Sequence, residues 1–111
     1  MSTAPELGTL IYVAALQMVP RGGGIAEVSR EGASVLIYGR QPGGLRGVYH
    51  EPTCVQALVT DQVVRGIVLG GRPGIPQGED LFTLPVAGRP LAEVADDAVA
   101  RISEYLAATT S

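Results

Sequence analysis

Apolar positions in this 111-residue chain recur at two different periods, and the change of period marks the elements. Leu7, Leu10, Ile11, Ala14 and Met18 have the spacing of one helical face. Ahead of them, Thr3 and Glu6 stand three apart with Pro5 between. This is a capping-box arrangement, in which Thr3 accepts from the Glu6 N–H and Glu6 reaches back to the Thr3 N–H. Pro20 and Gly22-Gly23-Gly24 end the segment. Thr9-Leu10-Ile11-Tyr12-Val13 is also rich in strand formers, but the cap and the Ala14–Met18 tail favour a helix. A second helical stripe follows Pro90, with Leu91, Val94, Ala98, Ile102 and Tyr105 on one side and Glu93, Asp97 and Arg101 on the other. Asp97 and Arg101 are four apart with the acid first, the favourable order for a helical ion pair.

Between the helices the pattern shortens. Residues 25–30 and 34–38 flank Glu31-Gly32-Ala33, a hairpin connection with a glycine available for a positive φ. Gln41-Pro42-Gly43-Gly44 reads as a turn and Gly47-Val48-Tyr49-His50 as a third strand. Pro52 and Thr53 predict a helical turn running to about Val59. Gln62 to Leu69 is β-branched, ends at Gly70-Gly71 and predicts a buried strand. It also reads as a continuation of the preceding helix, because periodicity does not separate short apolar runs. Leu81 to Val86 is the last strand, and Pro85 places it at a sheet edge. The predicted order is α-β-β-β-α-β-β-α. It describes one α+β domain over residues 1–111, with a mainly antiparallel sheet of about five strands covered by the N- and C-terminal helices. One sheet face then stays free for a partner.

Composition narrows the chemistry more than it changes the fold. The chain has no Lys, no Asn, no Trp, one His and one Cys. Lysine Schiff bases and a P-loop ammonium are excluded, and His50 and Cys54 alone cannot complete a Cys/His zinc site. No metal site or cofactor is expected. The joint loss of Lys and Asn, both with A-rich codons, fits a GC-rich genome. Net charge is −3 and the eight basic residues are all Arg, spread from Arg21 to Arg101. No dense cationic stripe marks a nucleic-acid partner. The apolar run from Thr9 to Val19 is too short to span a bilayer, and no Lys or Arg precedes it as a signal peptide requires. A lone Cys fits a reducing compartment, so the expected location is cytoplasmic and no membrane partner is expected. With only five aromatics the core must be aliphatic. A second copy of the chain would supply further burial, and the expected state is a homodimer paired through the apolar edge strand 81–86.

Two local constellations could carry chemistry. If a short helix starts near Pro52, Cys54 lies in its first turn, where unpaired N–H groups favour a thiolate, and His50 would be its base. The simpler reading makes Cys54 a small buried hydrophobe and His50 a strand-end residue. Gly70-Gly71-Arg72-Pro73-Gly74 follows an apolar strand, so its backbone and Arg72 could receive an anion or nucleotide, yet it lacks the spacing of a dinucleotide loop or P-loop. The simpler reading is a long connection. Glu79-Asp80 offers too few donors for a hard cation, and Glu93, Asp96 and Asp97 read as a solvated face. The expected function is therefore a non-catalytic protein-interaction module, an adaptor, small chaperone or accessory subunit, using a sheet face or edge. The alternatives are a thiol enzyme on Cys54 and His50 and an anion sensor on the Gly70–Gly78 loop.

Overall fold

The computed structural model describes residues 3–21, 24–39, 53–70 and 78–110. Helix α1 (Ala4–Met18) runs into a single 3₁₀ turn at Val19–Arg21. Strands β1 (Ile25–Glu31), β2 (Ser34–Gly39), β3 (Cys54–Val59), β4 (Val63–Gly70) and β5 (Asp80–Pro85) follow, and α2 (Leu91–Thr110) closes the chain. The five strands form one antiparallel sheet in sequential order. The fold is α+β, as the sequence predicts.

Strand alternation puts one side of the sheet under both helices. Val28, Val35, Ile37, Val55, Ala57, Val59, Val64 and Leu84 are buried on that side. Leu7, Ile11 and Ala15 of α1 meet them, together with Val94, Ala98, Ile102 and Leu106 of α2. The α2 stripe keeps the predicted Val94, Ala98 and Ile102, while Leu91 and Tyr105 are only partly buried and Ala95, Val99 and Leu106 are buried as well. Among the described residues the fully buried core is aliphatic apart from Phe82, with Tyr12 and Tyr105 packed partly buried against it. The Phe82 ring lies against Gly66 on the neighbouring strand, in space that a Cβ would occupy. Gly32 makes the first hairpin possible. Its φ of 63° at the first central position, with no positive φ at Ala33, is the two-residue turn that matches strand twist.

Two expectations are corrected. Residues 54–59 are a strand, not a helical turn. Val55, Ala57 and Val59 alternate inward while Gln56 and Leu58 are only half-buried on the other side, so the period is 2. The order is α-β-β-β-β-β-α, with the third strand at 54–59. The capping box at Thr3 is also not made: Thr3 has no side-chain cap bond. Asp61, in the β3–β4 turn, takes its place by accepting from the Thr3 and Ala4 backbone N–H groups at 2.9 Å each. The expected turn at 41–44 and strand at 47–50 lie outside the described residues.

Candidate functional site

The second face of the sheet carries neither helix. Cross-strand register arranges its side chains in rows, since directly opposed residues share a face. Glu27, Tyr38 and Cys54 form one row. Ser29, Leu36, Gln56, Ile67 and Asp80 form the next, and Glu31, Ser34, Leu58, Arg65 and Thr83 the third, with Ser34 and Leu58 placed in it by the alternation of their strands. The apolar members sit on the three central strands: Leu36 and Tyr38 on β2, Leu58 on β3, Ile67 and Leu69 on β4. The edge strands contribute Glu27, Ser29, Glu31, Asp80 and Thr83, and at one corner Pro85 lies opposite Val63 of β4. Apolar centre and polar rim is the anatomy of a protein interface. Leu69 is 44% exposed, among the most exposed large apolar side chains described.

Two polar features stand out on this face. Gln56 lies in its middle, flanked by Leu36 and Ile67 across the strands and by Leu58 along its own. Arg65 reaches Asp80 at 2.8 Å, an ion pair with both side chains more than two-fifths exposed. Exposure of that order makes the pair worth little to stability and leaves both charges open to a partner.

Cys54 is on this face too, at the start of β3 beside Tyr38. Burial pushes its thiol up to about 11, and hydrogen bonds from Tyr38 and the Ile37 backbone offset only part of that. The thiol is therefore protonated at neutral pH. No helix begins at Cys54, so the helix-terminus argument for a thiolate does not apply. His50 lies outside the described residues, as do Gly71, Arg72 and Gly74. Gly70 ends β4 opposite Cys54. No cluster of His, Cys, Asp and Glu among the described residues could hold a metal ion. No helix described is long and apolar enough to cross a membrane.

The sheet edges offer less than the face. β5 is an edge strand as Pro85 predicts. The Val86 N–H donates to the Gln62 carbonyl at 2.9 Å, and alternation along the ladder then turns Leu84 inward and Thr83 and Pro85 outward. Pro85 thus places a missing donor on the free edge, which blunts strand addition. On β1 the ladder is interrupted by an irregularity between Ile25 and Glu27. Its Arg30 is tied to α1 through Thr9 Oγ1 at 2.6 Å and the Pro5 carbonyl at 2.9 Å. On the helix layer, a cavity of about 190 Å³ between α1 and α2 is lined by Ala14, Gln17, Met18, Arg21, Asp96 and Val99. That is smaller than the roughly 300–1,000 Å³ of typical ligand pockets.

Sequence reasoning anticipates a free sheet face but none of the residues that make it. The alternation of residues 54–59 is the signal that would have supplied Gln56 and Leu58. No protein-family model, no curated protein and no solved structure matches this chain.

Proposed function

We propose that this domain is a non-catalytic protein-interaction module that binds a protein partner through the outer face of its sheet. One observation carries the reading. Both helices pack on one side, and the other carries an exposed Leu69 and half-buried Leu36, Tyr38, Leu58 and Ile67 between edge strands whose outer residues are mostly charged or polar. A patch of that kind marks interaction sites on soluble proteins. A partner would bury the aromatic and aliphatic centre and meet the acids of the rim. Adaptor, small chaperone and accessory subunit are the roles that need only such a surface. A lone cysteine held as a neutral thiol fits a reducing, cytoplasmic setting.

Site-specific photo-crosslinking in the native cell tests the reading. A photoreactive residue at position 83, exposed on the rim of the face, should form covalent protein adducts, and the same residue at Glu104 on the exposed side of α2 should not. Equal yields at the two positions would overturn the proposal.

A further inference from the structure

We infer that the occupant of the outer sheet face is a second copy of this chain, docked face to face about a two-fold axis that passes through Gln56 and runs along the strands. The inference rests on the interaction reading above and names the partner.

Three features of the face point to self-association. The first is Gln56. A two-fold contact joins the same patch on both copies, and a carboxamide is self-complementary because it donates through its NH₂ and accepts through its oxygen. Packed sheets lie about 10 Å apart, a gap that two opposed glutamine side chains span. Two central amides then satisfy each other amid Leu36, Leu58 and Ile67.

The second is the order of the strands about that axis. An axis along β3 lays β2 of one copy over β4 of the other and β1 over β5. Leu36 then faces Ile67 of the second copy, and Tyr38 falls by Leu69. Glu31 comes beside Arg65 of the second copy, and symmetry repeats the pair. The alternative in-plane axis, across the strands, stacks each strand on its own counterpart and brings Glu27 over Glu31. Like charges disfavour it.

The third is size. Five strands at about 4.8 Å spacing and about six residues of 3.3 Å each give a face of roughly 24 by 20 Å. Two such faces hide on the order of 1,000 Å², the lower bound for a specific interface. An interface at that bound belongs to the weak, transient class.

Sedimentation equilibrium on the purified full chain tests this, with charge reversal as the probe. The wild-type protein should move from the 11.5 kDa monomer to twice that mass as concentration rises to about 100 μM. Glu31→Arg and Arg65→Glu, each opposing like charges across the interface, should each weaken association about tenfold. The Glu31→Arg/Arg65→Glu double variant, and a one-to-one mixture of the single variants, should regain it. Far-UV circular dichroism confirms that each variant is folded. A wild-type monomer throughout, a dimer indifferent to both reversals, or no rescue in the double variant would overturn the inference. Adducts at position 83 to another protein in the cell, with a monomeric purified chain, would reject self-association and leave the interaction reading standing. No adducts would reject both.

Discussion

The start of α1 gives the sharpest test of how this fold is held, because sequence and structure assign its cap to different residues. Local pattern assigns it to Thr3 and Glu6. The structure assigns it to Asp61, whose Oδ1 accepts from the Thr3 and Ala4 N–H groups at 2.9 Å and from the Thr3 hydroxyl at 3.4 Å. Asp61→Ala leaves two of the three orphan donors of the helix, Pro5 having no N–H, without a protein acceptor. Loss of an N-cap acceptor costs about 1 kcal/mol, and hydrogen bonds to a charged group run to about 1.5–3 kcal/mol. Water can reach the Thr3 donor, since Thr3 is only half-buried and Asp61 is exposed, whereas Ala4 is buried, so the sum falls at about 1–2 kcal/mol. In a chain of this length that is roughly 4–8 °C in Tm.

Urea melts followed by far-UV circular dichroism measure the effect, and Glu6→Ala is the control. Asp61→Ala should lower the midpoint while Glu6→Ala stays within about 0.5 kcal/mol of wild type. Asp61→Asn keeps the acceptor and loses the charge, so it should fall between. A Glu6→Ala loss equal to that of Asp61→Ala would refute the long-range cap and restore the local one.

Thr53 is buried and its hydroxyl has no hydrogen-bond partner among the described residues, so Thr53→Val, which keeps the shape, should be neutral or stabilising by about 1 kcal/mol; a loss above about 1 kcal/mol in the same melts would show that the hydroxyl is bonded. Ile102 is fully buried, and Ile102→Asp should cost several kcal/mol or force the new carboxyl to neutralise, whereas Glu93→Gln, which weakens only an exposed pair to Arg89, should stay within about 0.5 kcal/mol; equal effects would mean that α2 faces the other way. With its pKa raised to about 11, Cys54 should alkylate at pH 8 about 100-fold more slowly than a free thiol, with the rate still climbing as pH rises above 9; rapid labelling at pH 6 would revive the thiol-enzyme alternative. Because the native thiol ionises later than the unfolded one, its contribution to stability is constant below about pH 9 and is lost as pH climbs toward 11. Gly66→Ala should cost about 1–3 kcal/mol by overlap with the Phe82 ring, and Phe82→Leu should absorb part of that cost in a double-mutant cycle; strict additivity would show that the two do not meet.

Wherever a stripe was long, the sequence made its element legible. α2 has twenty residues over which a 3.6 period can declare itself, and Val94, Ala98 and Ile102 of its inward face follow from that period, whereas the buried Ala95, Val99 and Leu106 widen the face beyond it. The first hairpin was legible because Gly32 is placed where a two-residue turn needs a positive φ. The cap of α1 was not legible, since Asp61 lies 57 residues from Ala4 and only folding brings them together. Asp97 shows the opposite case. Its ion pair with Arg101 at 3.0 Å is local and was readable, and the Arg101 guanidinium holds its carboxyl below the usual carboxylate range, helped by Arg89. Arg89 itself, eight residues away and outside the helix, was not part of that pattern.

The candidate interaction face was hidden by a single choice of period over six residues. In Cys54-Val55-Gln56-Ala57-Leu58-Val59 a helix and a strand bury different subsets. Under a period of 3.6, Val55, Leu58 and Val59 share a side and Gln56 falls among solvated positions, where it means nothing. Under a period of 2, Val55, Ala57 and Val59 face the helices while Cys54, Gln56 and Leu58 face outward with Leu36, Tyr38 and Ile67. Only the second reading sets a carboxamide in the centre of an otherwise apolar surface. Strands buried on one face alone read as alternating apolar and polar residues, whereas strands buried on both read as continuous apolar runs. β2 and β4 carry Val35, Leu36, Ile37 and Tyr38, and Ile67, Val68 and Leu69, with no such alternation. Three adjacent strands with apolar residues on both sides, in a sheet whose helices cover one side, are the pattern on which the proposed interaction face rests.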